Sequence, residues 1–411
     1  MHDISFLTVL LYGQPIGTLS HVGHDQTLFS FNESYIHDSN RPTLGLRFKD
    51  AFDQLLIDFK PHRMKLMPFF SNLLPEGPLR RYLASSVGVH AEREFSLLWA
   101  LGQDLPGAIT VVPSDTQPWP TEATTLPSRT PRQSTEDHAL HFSLAGVQLK
   151  FSAMMNVRGG MTIPAHGVGG HWIVKLPSRE FSHVPENEFS MMTLAKSIGI
   201  NVPDIDLVDV RAIDNLPRGI ERLEGKAFVI RRFDRKEDNG AVHIEDFAQV
   251  FDVYPTEKYS KANYRNLATV IAAESGLEDI AELIRRITFN VLIGNGDMHL
   301  KNWSLIYPDR RHARLSPAYD FVSTIAYIPG DRSALKFSRT KEFSGYTIDE
   351  LNHFVAKAAL PRKLVLDVVQ ETIALFTEHW GKEKKHLPMD QHVRTTIDTH
   401  LAALPILSTA I

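Results

Sequence analysis

Short alternating apolar runs occupy the first half of this chain, and helical periodicity dominates after about residue 244. The stretch "SFLTVLLYGQPIGTLSHV" reads as a β-hairpin turning at Gly13-Gln14-Pro15. A helical stretch is expected around "KLMPFFSNLLPEGPLRRYLASSVG", and "LPGAITVVPSD" is a strand running into a break. Residues 113–137 are dominated by Pro, Thr and Ser and read as a linker or mobile loop. Beyond it, "HFSLAGVQLKFSAMM" predicts a strand, a small-residue turn and a strand, and "HWIVKLPS" and "AFVIRRFDR" predict further strands. Between these last two, "PENEFSMMTLAKSIGI" has helical spacing and ends at Gly199. The pattern divides the chain into 1–112, the linker 113–137, a β-rich segment 138–236 and a helical segment 237–411. The fold class expected is α+β.

One β interruption breaks the helical segment. "WSLIY" and "HARLS" are strands joined by the turn "PDRR", so the chain doubles back. That return carries Asp320 of "AYDFV" towards the loop "GNGDMHLKN", which holds Asp297, His299, Lys301 and Asn302. Oxygen-bearing side chains gathered at one helix end suit a hard cation such as Mg²⁺. Protein kinases space their catalytic-loop Asp and metal-binding Asn as Asp297 and Asn302 are spaced, and a second metal-binding Asp follows a hairpin. Taken singly, these residues also fit the roles of helix and turn caps. Lys175 ends the apolar strand "HWIVK", as the ATP-binding lysine of kinases does. Glu186 and Glu188 both stand in the next helix's first turn, where one can pair with Lys175, Glu188 being preferred, or both can complement the helix dipole. Small residues Ser143, Ala145 and Gly146 allow backbone N–H groups to approach phosphate oxygens. His299 is expected to brace its loop by hydrogen bonds, and Lys301 to neutralise a phosphoryl group in transfer.

Composition removes several other chemistries. The 411 residues contain no cysteine, which excludes disulfides, zinc–thiolate sites and iron–sulfur clusters. No helical His-x-x-x-His pattern is present, so a zinc-protease reading is set aside. Hydrophobic residues make up 43%, enough for a large interior, and the chain length suggests two or three domains. The formal net charge is -4, with no basic block, so charge-driven nucleic-acid binding by this chain alone is not expected. No apolar run reaches a membrane-spanning length of about 18 residues. The opening residues lack the basic start of a signal peptide and carry Asp3 instead, so a cytoplasmic location is expected.

Taken together, "SLAGVQLK", "IVKLPS", "ENEF…LAKSIGINVPD", "VIRRFDR", "IEDFAQVF", "GNGDMHLKNWSL" and "LSPAYDFVS" resemble the HipA family of serine/threonine kinases, the toxins of HipA–HipB modules. "FFSNLLPEGPLRRYL" and "LGQDLPGAITVVP" resemble that family's extra N-terminal subdomain. The resemblance runs from about residue 5 to residue 380. It implies a protein-kinase-like fold of two lobes: a β-rich N-lobe with the extra α+β subdomain, and an all-helical C-lobe. It also implies ATP and Mg²⁺ as cofactors. By motif match Asp297 would be the catalytic base, Asn302 and Asp320 the metal ligands, and Lys175 a phosphate ligand. The loop of Ser143, Leu144, Ala145, Gly146 and Val147 would cradle nucleotide, with Ser143 the autophosphorylated serine. A dianion placed in a phosphate cradle repels ATP and silences the enzyme. Arg232 and Phe233 would lie at the adenine hinge, where Arg231 replaces an acidic residue of some relatives. Implied partners are a HipB-like helix-turn-helix antitoxin, operator DNA through that antitoxin only, and an aminoacyl-tRNA synthetase such as glutamyl-tRNA synthetase as substrate. Two other readings stay open. Small-molecule kinases of the aminoglycoside and choline type share a Gly-Asp-x-His-x-x-x-Asn loop, and a non-catalytic corepressor partner needs none of this chemistry.

Overall fold

The computed structural model describes residues 5–22, 25–86, 88–114, 149–155, 161–163, 169–178, 180–216, 223–238 and 240–408. The linker 113–137, except for its first two residues, and the loop Ser143–Val147 lie outside them.

The first sheet contains β1 (Ser5–Leu11), β2 (Gln14–Val22), β3 (Gln26–Phe31), β4 (His62–Arg63) and β5 (Ile109–Pro113), in the order β4-β3-β2-β1-β5. The β1–β2 hairpin turns one residue earlier than the sequence pattern suggests. Leu11 pairs with Gln14, and the loop is Tyr12–Gly13, both at positive φ (52° and 75°). A two-residue turn of that handedness matches the twist of the strands it joins. Pro15 falls within β2, beside a register shift, where its missing N–H does least harm to the ladder. The helical stretch after β4 is split into Pro68–Ser71 and Gly77–Ser86. Pro75 lies between the two pieces, and Gly77, at φ 54°, opens the second. A helix at Glu94–Leu101 completes this unit, whose core is rich in aromatic side chains such as Phe29, Phe48, Phe69 and Phe70.

The second sheet has six strands: β6 (Lys150–Met155), β7 (Met161–Thr162), β8 (Trp172–Lys175), β9 (Ile205–Asp209), β10 (Ile213–Asp214) and β11 (Lys226–Arg231). Their order is β10-β7-β6-β8-β11-β9. The helix Val184–Ser197 buries Met191, Met192, Leu194 and Ala195 against this sheet and the helical lobe. It stops before Gly199, at φ 85°, as its sequence pattern indicated.

The helical lobe is built round Leu277–Ile293, which packs against Arg362–Glu383, Tyr264–Glu274 and Gln391–Ala403. This central helix ends at Gly294 in the left-handed region (φ 63°). A Cβ there would collide with the Ile325 side chain, so glycine is required on two counts. The chain then enters the Asp297 loop and a small sheet, β12-β13-β14, made of His243–Asp246, Ser304–Tyr307 and Arg314–Leu315. The hairpin expected at "PDRR" is β13–β14, and β12 is a third strand the pattern did not separate.

The N-terminal unit is fastened to the rest through buried charge. The Arg232 guanidinium grips Asp234 with two hydrogen bonds (3.0 and 2.8 Å) and Asp104 with a third (2.9 Å). Arg235 joins the same two carboxylates and donates to the carbonyls of Leu105 and Gly107. Gly107, at φ 75°, lets the backbone approach within contact of His243 and Ile244. Next to it, Glu245 accepts from the Leu46 N–H at 2.9 Å and from Tyr307. Burial pushes the Glu245 carboxyl up to about 8, against the pull of its hydrogen bonds from Tyr307 and Leu46. No helix among the described residues is long and apolar enough to cross a membrane.

Candidate active site

The expected residues converge where the second sheet meets the helical lobe. Lys175, at the end of β8, is buried, and its ammonium reaches two carboxylates. Glu188 lies 2.5 Å away, and Asp320 is in direct contact. The structure thus selects Glu188 from the two candidate glutamates. Glu186 faces His183 at 3.6 Å instead. The reason is helical geometry: Glu188 is buried, whereas Glu186, two residues earlier on another side of the helix, is only partly buried.

Burial opposes the charge on Lys175, but Asp320 and Glu188 outweigh it and raise its pKa. Burial is also the largest influence on Glu188 and pushes it up to about 7, in spite of Lys175. For Asp320 the ammoniums win: Lys175 first, then Lys150, bring it down to about 2. Asp320 itself sits at φ 60°, a left-handed conformation that Asp tolerates better than most residues. Its carbonyl accepts from Asn295 Nδ2 at 3.3 Å.

The hairpin does return the chain as the pattern implied. The Tyr319 hydroxyl meets Ser304 Oγ at 2.5 Å and donates to the Lys301 carbonyl at 2.9 Å. This places Asp320 beside the Asp297 loop. The loop is tied internally: Asn302 Nδ2 donates to the Asp297 carbonyl (2.9 Å), the Asp297 N–H to Asn295 Oδ1 (3.0 Å), and the Gly296 N–H to Thr324 Oγ1 (2.7 Å). Because the Asn302 amide nitrogen is spent on that carbonyl, its Oδ1 is left as an acceptor. Desolvation raises the Asp297 carboxyl above its ordinary value, although the residue keeps an exposed rim, and the Tyr259 hydroxyl pulls it back in part.

Other expected residues depart from their assignments. Lys301 is held by residues outside its loop. Its ammonium donates to the backbone carbonyl and the side-chain oxygen of Asn72 (2.7 and 3.1 Å), with Asp246 and Glu76 at 3.4 and 3.6 Å. Arg232, expected at an adenine hinge, is buried in the Asp104–Asp234 network, where its donors are already committed. Phe233 lies at that edge with its ring 5.8 Å from Tyr319, and Arg231 pairs with Glu237. His299 is buried and braces its loop through its backbone, its N–H donating to the Asp297 carbonyl (2.8 Å) and its carbonyl accepting from the Asn302 N–H (2.9 Å), rather than through its ring Nδ1. Its Nδ1 has no hydrogen-bond partner, and burial with the nearby Lys258 pushes the imidazole down to about 3. Ser143, Leu144, Ala145, Gly146 and Val147 lie outside the described residues.

Two residues were missed from the sequence. Lys150 pairs in register with Lys175 across β6 and β8. Like charges directly opposite one another repel unless an anion lies between them. Burial of its head group and the neighbouring Lys175 and Lys301 lower the Lys150 pKa, against the pull of Asp320, though its surface remains partly open. A lysine opening the strand that follows a small-residue loop was the available signal. The second is Tyr259, whose hydroxyl donates to Asp297 Oδ1 at 2.5 Å. No local pattern marks it.

These features fit a nucleotide held with a hard cation. Asp320 and Asn302 supply oxygen donors, Lys175 and Lys150 place two positive charges beside Asp320, and a buried imidazole nitrogen has no hydrogen-bond partner. Among the described residues no group of three or more His, Cys, Asp or Glu is placed to hold a metal by itself.

Residues 142–380 match the HipA-like C-terminal domain, and residues 7–112 match the HipA N-terminal domain. This chain belongs to the HipA family. A Sinorhizobium fredii protein named "Putative kinase Y4dM" is 56% identical over 405 residues, covering 97% of both chains. The serine/threonine-protein kinase toxin HipA of Shewanella oneidensis is 28% identical over 331 residues, 72% of each chain. The structure also superposes on HipA from the Shewanella oneidensis complex of HipA, HipB and operator DNA. The TM-score is 0.72 at 23% identity, covering 98% of this chain and 96% of that one. The fold is therefore the kinase-like fold of HipA, and the family implies kinase activity with ATP.

Proposed function

We propose that this chain is an ATP-dependent serine/threonine-protein kinase toxin of a HipA-type module. The carrying observation is the buried Lys175, which contacts Glu188 and Asp320 at once beside the Asp297–Asn302 loop. A lysine so placed holds nucleotide phosphates, and Glu188 keeps it in position. Asp320 and the Asn302 Oδ1 are the metal ligands. Asp297 accepts the proton of the acceptor hydroxyl as that oxygen attacks phosphorus. Lys150 adds a second positive charge where phosphate charge accumulates. When bound, MgATP supplies the transferable phosphoryl group and the charge neutralisation its transfer needs.

Within this reading Ser143 is the autophosphorylated serine, and the Ser143–Val147 loop the phosphate cradle. The partner is a HipB-like helix-turn-helix antitoxin, through which operator DNA is contacted; the Shewanella structure is a complex of HipA, HipB and operator DNA. The acceptor is an aminoacyl-tRNA synthetase in the cytoplasm, glutamyl-tRNA synthetase being the first to test, and its modification arrests translation and growth. The grip of Asn72 and Glu76 on Lys301 favours this over a small-molecule kinase, because the N-terminal unit then supports the reacting loop.

The deciding experiment is mass spectrometry of the protein and of a whole-cell extract after incubation with Mg²⁺ and ATP. Phosphate on Ser143 and on one synthetase is expected. A phosphorylated small molecule, or no transfer at all, overturns the proposal. In the same assay Ser143→Ala should lose autophosphorylation, and a phosphopeptide elsewhere would relocate the switch. By calorimetry, Asp320→Ala should weaken MgATP binding at least tenfold, since it removes a metal ligand together with one of the two carboxylates that hold Lys175. Unchanged affinity would refute its ligand role.

A further inference from the structure

The Asp297 carboxylate has one hydrogen-bond partner among the described residues, and it is Tyr259. Tyr259 donates to Oδ1, while Oδ2 receives no donor and the residue keeps an exposed rim. An acceptor hydroxyl therefore has one carboxylate oxygen available, and the other is already fixed. Tyr259 is also far from a loose surface side chain. Its ring meets the buried His299 ring edge-on at 5.0 Å. Its backbone carbonyl accepts from Lys341 Nζ at 3.0 Å. The preceding Lys258 is anchored to Glu76 of the N-terminal unit at 2.9 Å, and the Lys258 carbonyl accepts the Leu300 N–H of the Asp297 loop at 3.3 Å. The short segment Pro255–Lys261 is thus clamped from the N-terminal unit, from the reacting loop and from the helical lobe. The phenol is the group that this clamp presents to Asp297.

We propose that Tyr259 is a positioning residue for the catalytic base. It holds the Asp297 carboxylate in one orientation, so that Oδ2 faces the acceptor hydroxyl. This inference rests on the kinase reading of the site. The role follows the general pattern in which a base is oriented by a third group. Tyr259 itself exchanges no proton with substrate. The proton of the acceptor hydroxyl passes to Asp297, the new bond joins the acceptor oxygen to phosphorus, and ADP leaves.

The test is Tyr259→Phe, which removes one hydroxyl from an exposed ring. Its kcat should fall about tenfold, the size expected for loss of a hydrogen bond to a charged group, while KM for MgATP stays within about twofold. Asp297→Asn with Tyr259→Phe should be no slower than Asp297→Asn alone, because Tyr259 acts through that carboxylate. A crystal structure of Tyr259→Phe should show the Asp297 side chain released from its single orientation, a readout independent of activity. An unmoved Asp297 side chain overturns the proposal, even in a protein without kinase activity. So does a kcat that is unchanged or that rises, the latter marking Tyr259 as a plug on the base. Wild-type protein that transfers no phosphate, but whose Asp297 is released by the substitution, overturns the kinase reading and leaves the Tyr259–Asp297 pair intact.

Discussion

Asp297→Asn should reduce phosphoryl transfer by about 10²- to 10⁴-fold, the range contributed by a positioned general base. The substitution is nearly isosteric, and the loop does not depend on the carboxylate for its shape. Its backbone is fixed by Asn302 on the Asp297 carbonyl, by Asn295 on the Asp297 N–H and by Thr324 on the Gly296 N–H. An amide at 297 still accepts from Tyr259, so the local hydrogen bonds survive. What disappears is the ability to take a proton. MgATP affinity should change little, because the proposed metal and phosphate contacts lie on Asp320, Asn302, Lys175 and Lys150. Single-turnover transfer measured beside thermal unfolding separates the two effects. A folded variant that transfers at the wild-type rate would remove Asp297 from the mechanism and shift attention to solvent or His299 as the proton acceptor.

Legibility in the sequence followed the distance over which each feature is determined. The Asp297–Asn302 spacing, the β13–β14 hairpin and the helix bearing Glu188 depend on neighbours within a few residues, so periodicity and turn chemistry reached them. The hairpin was enough to predict that Asp320 returns to the loop. Choosing Glu188 over Glu186 needed only the side of the helix that faces the sheet, which two-residue spacing leaves open until the sheet is placed. Lys301 and Arg232 went astray for another reason. Each lies next to a legible motif, but each is also held by a residue of the N-terminal unit, Asn72 lying 229 positions from Lys301 and Asp104 128 from Arg232. No local pattern encodes such a pairing, and a cation beside a nucleotide motif reads equally well as a ligand or as a structural tie. Tyr259 was invisible on the same grounds, since 38 residues separate it from Asp297.

Arg232→Ala should cost stability before it costs nucleotide affinity, with an expected loss of about 3–5 kcal/mol. Arg232 is buried between two carboxylates, and truncation leaves Asp104 and Asp234 sharing Arg235 alone. Burial raises both carboxyls, and Arg232 with its hydrogen bonds more than reverses this, so both titrate below the usual range. A carboxyl whose folded pKa is depressed adds stability at pH above its unfolded value, and that stability is lost as the pH falls through the folded value. The wild type should therefore lose stability with acid below about pH 4, the ordinary carboxylate range. Arg232→Ala should start lower and show a shallower acid dependence. Lysine is no substitute, because one ammonium cannot reproduce the forked contact with Asp234 and the bond to Asp104 together. Urea unfolding across that pH range checks the sign, and calorimetry with MgATP on the folded fraction checks the alternative. An unchanged unfolding midpoint with a large loss of nucleotide affinity would return Arg232 to the adenine hinge. The expected result makes it the fastener that holds the N-terminal unit, and with it Asn72 and Glu76, against the reacting loop.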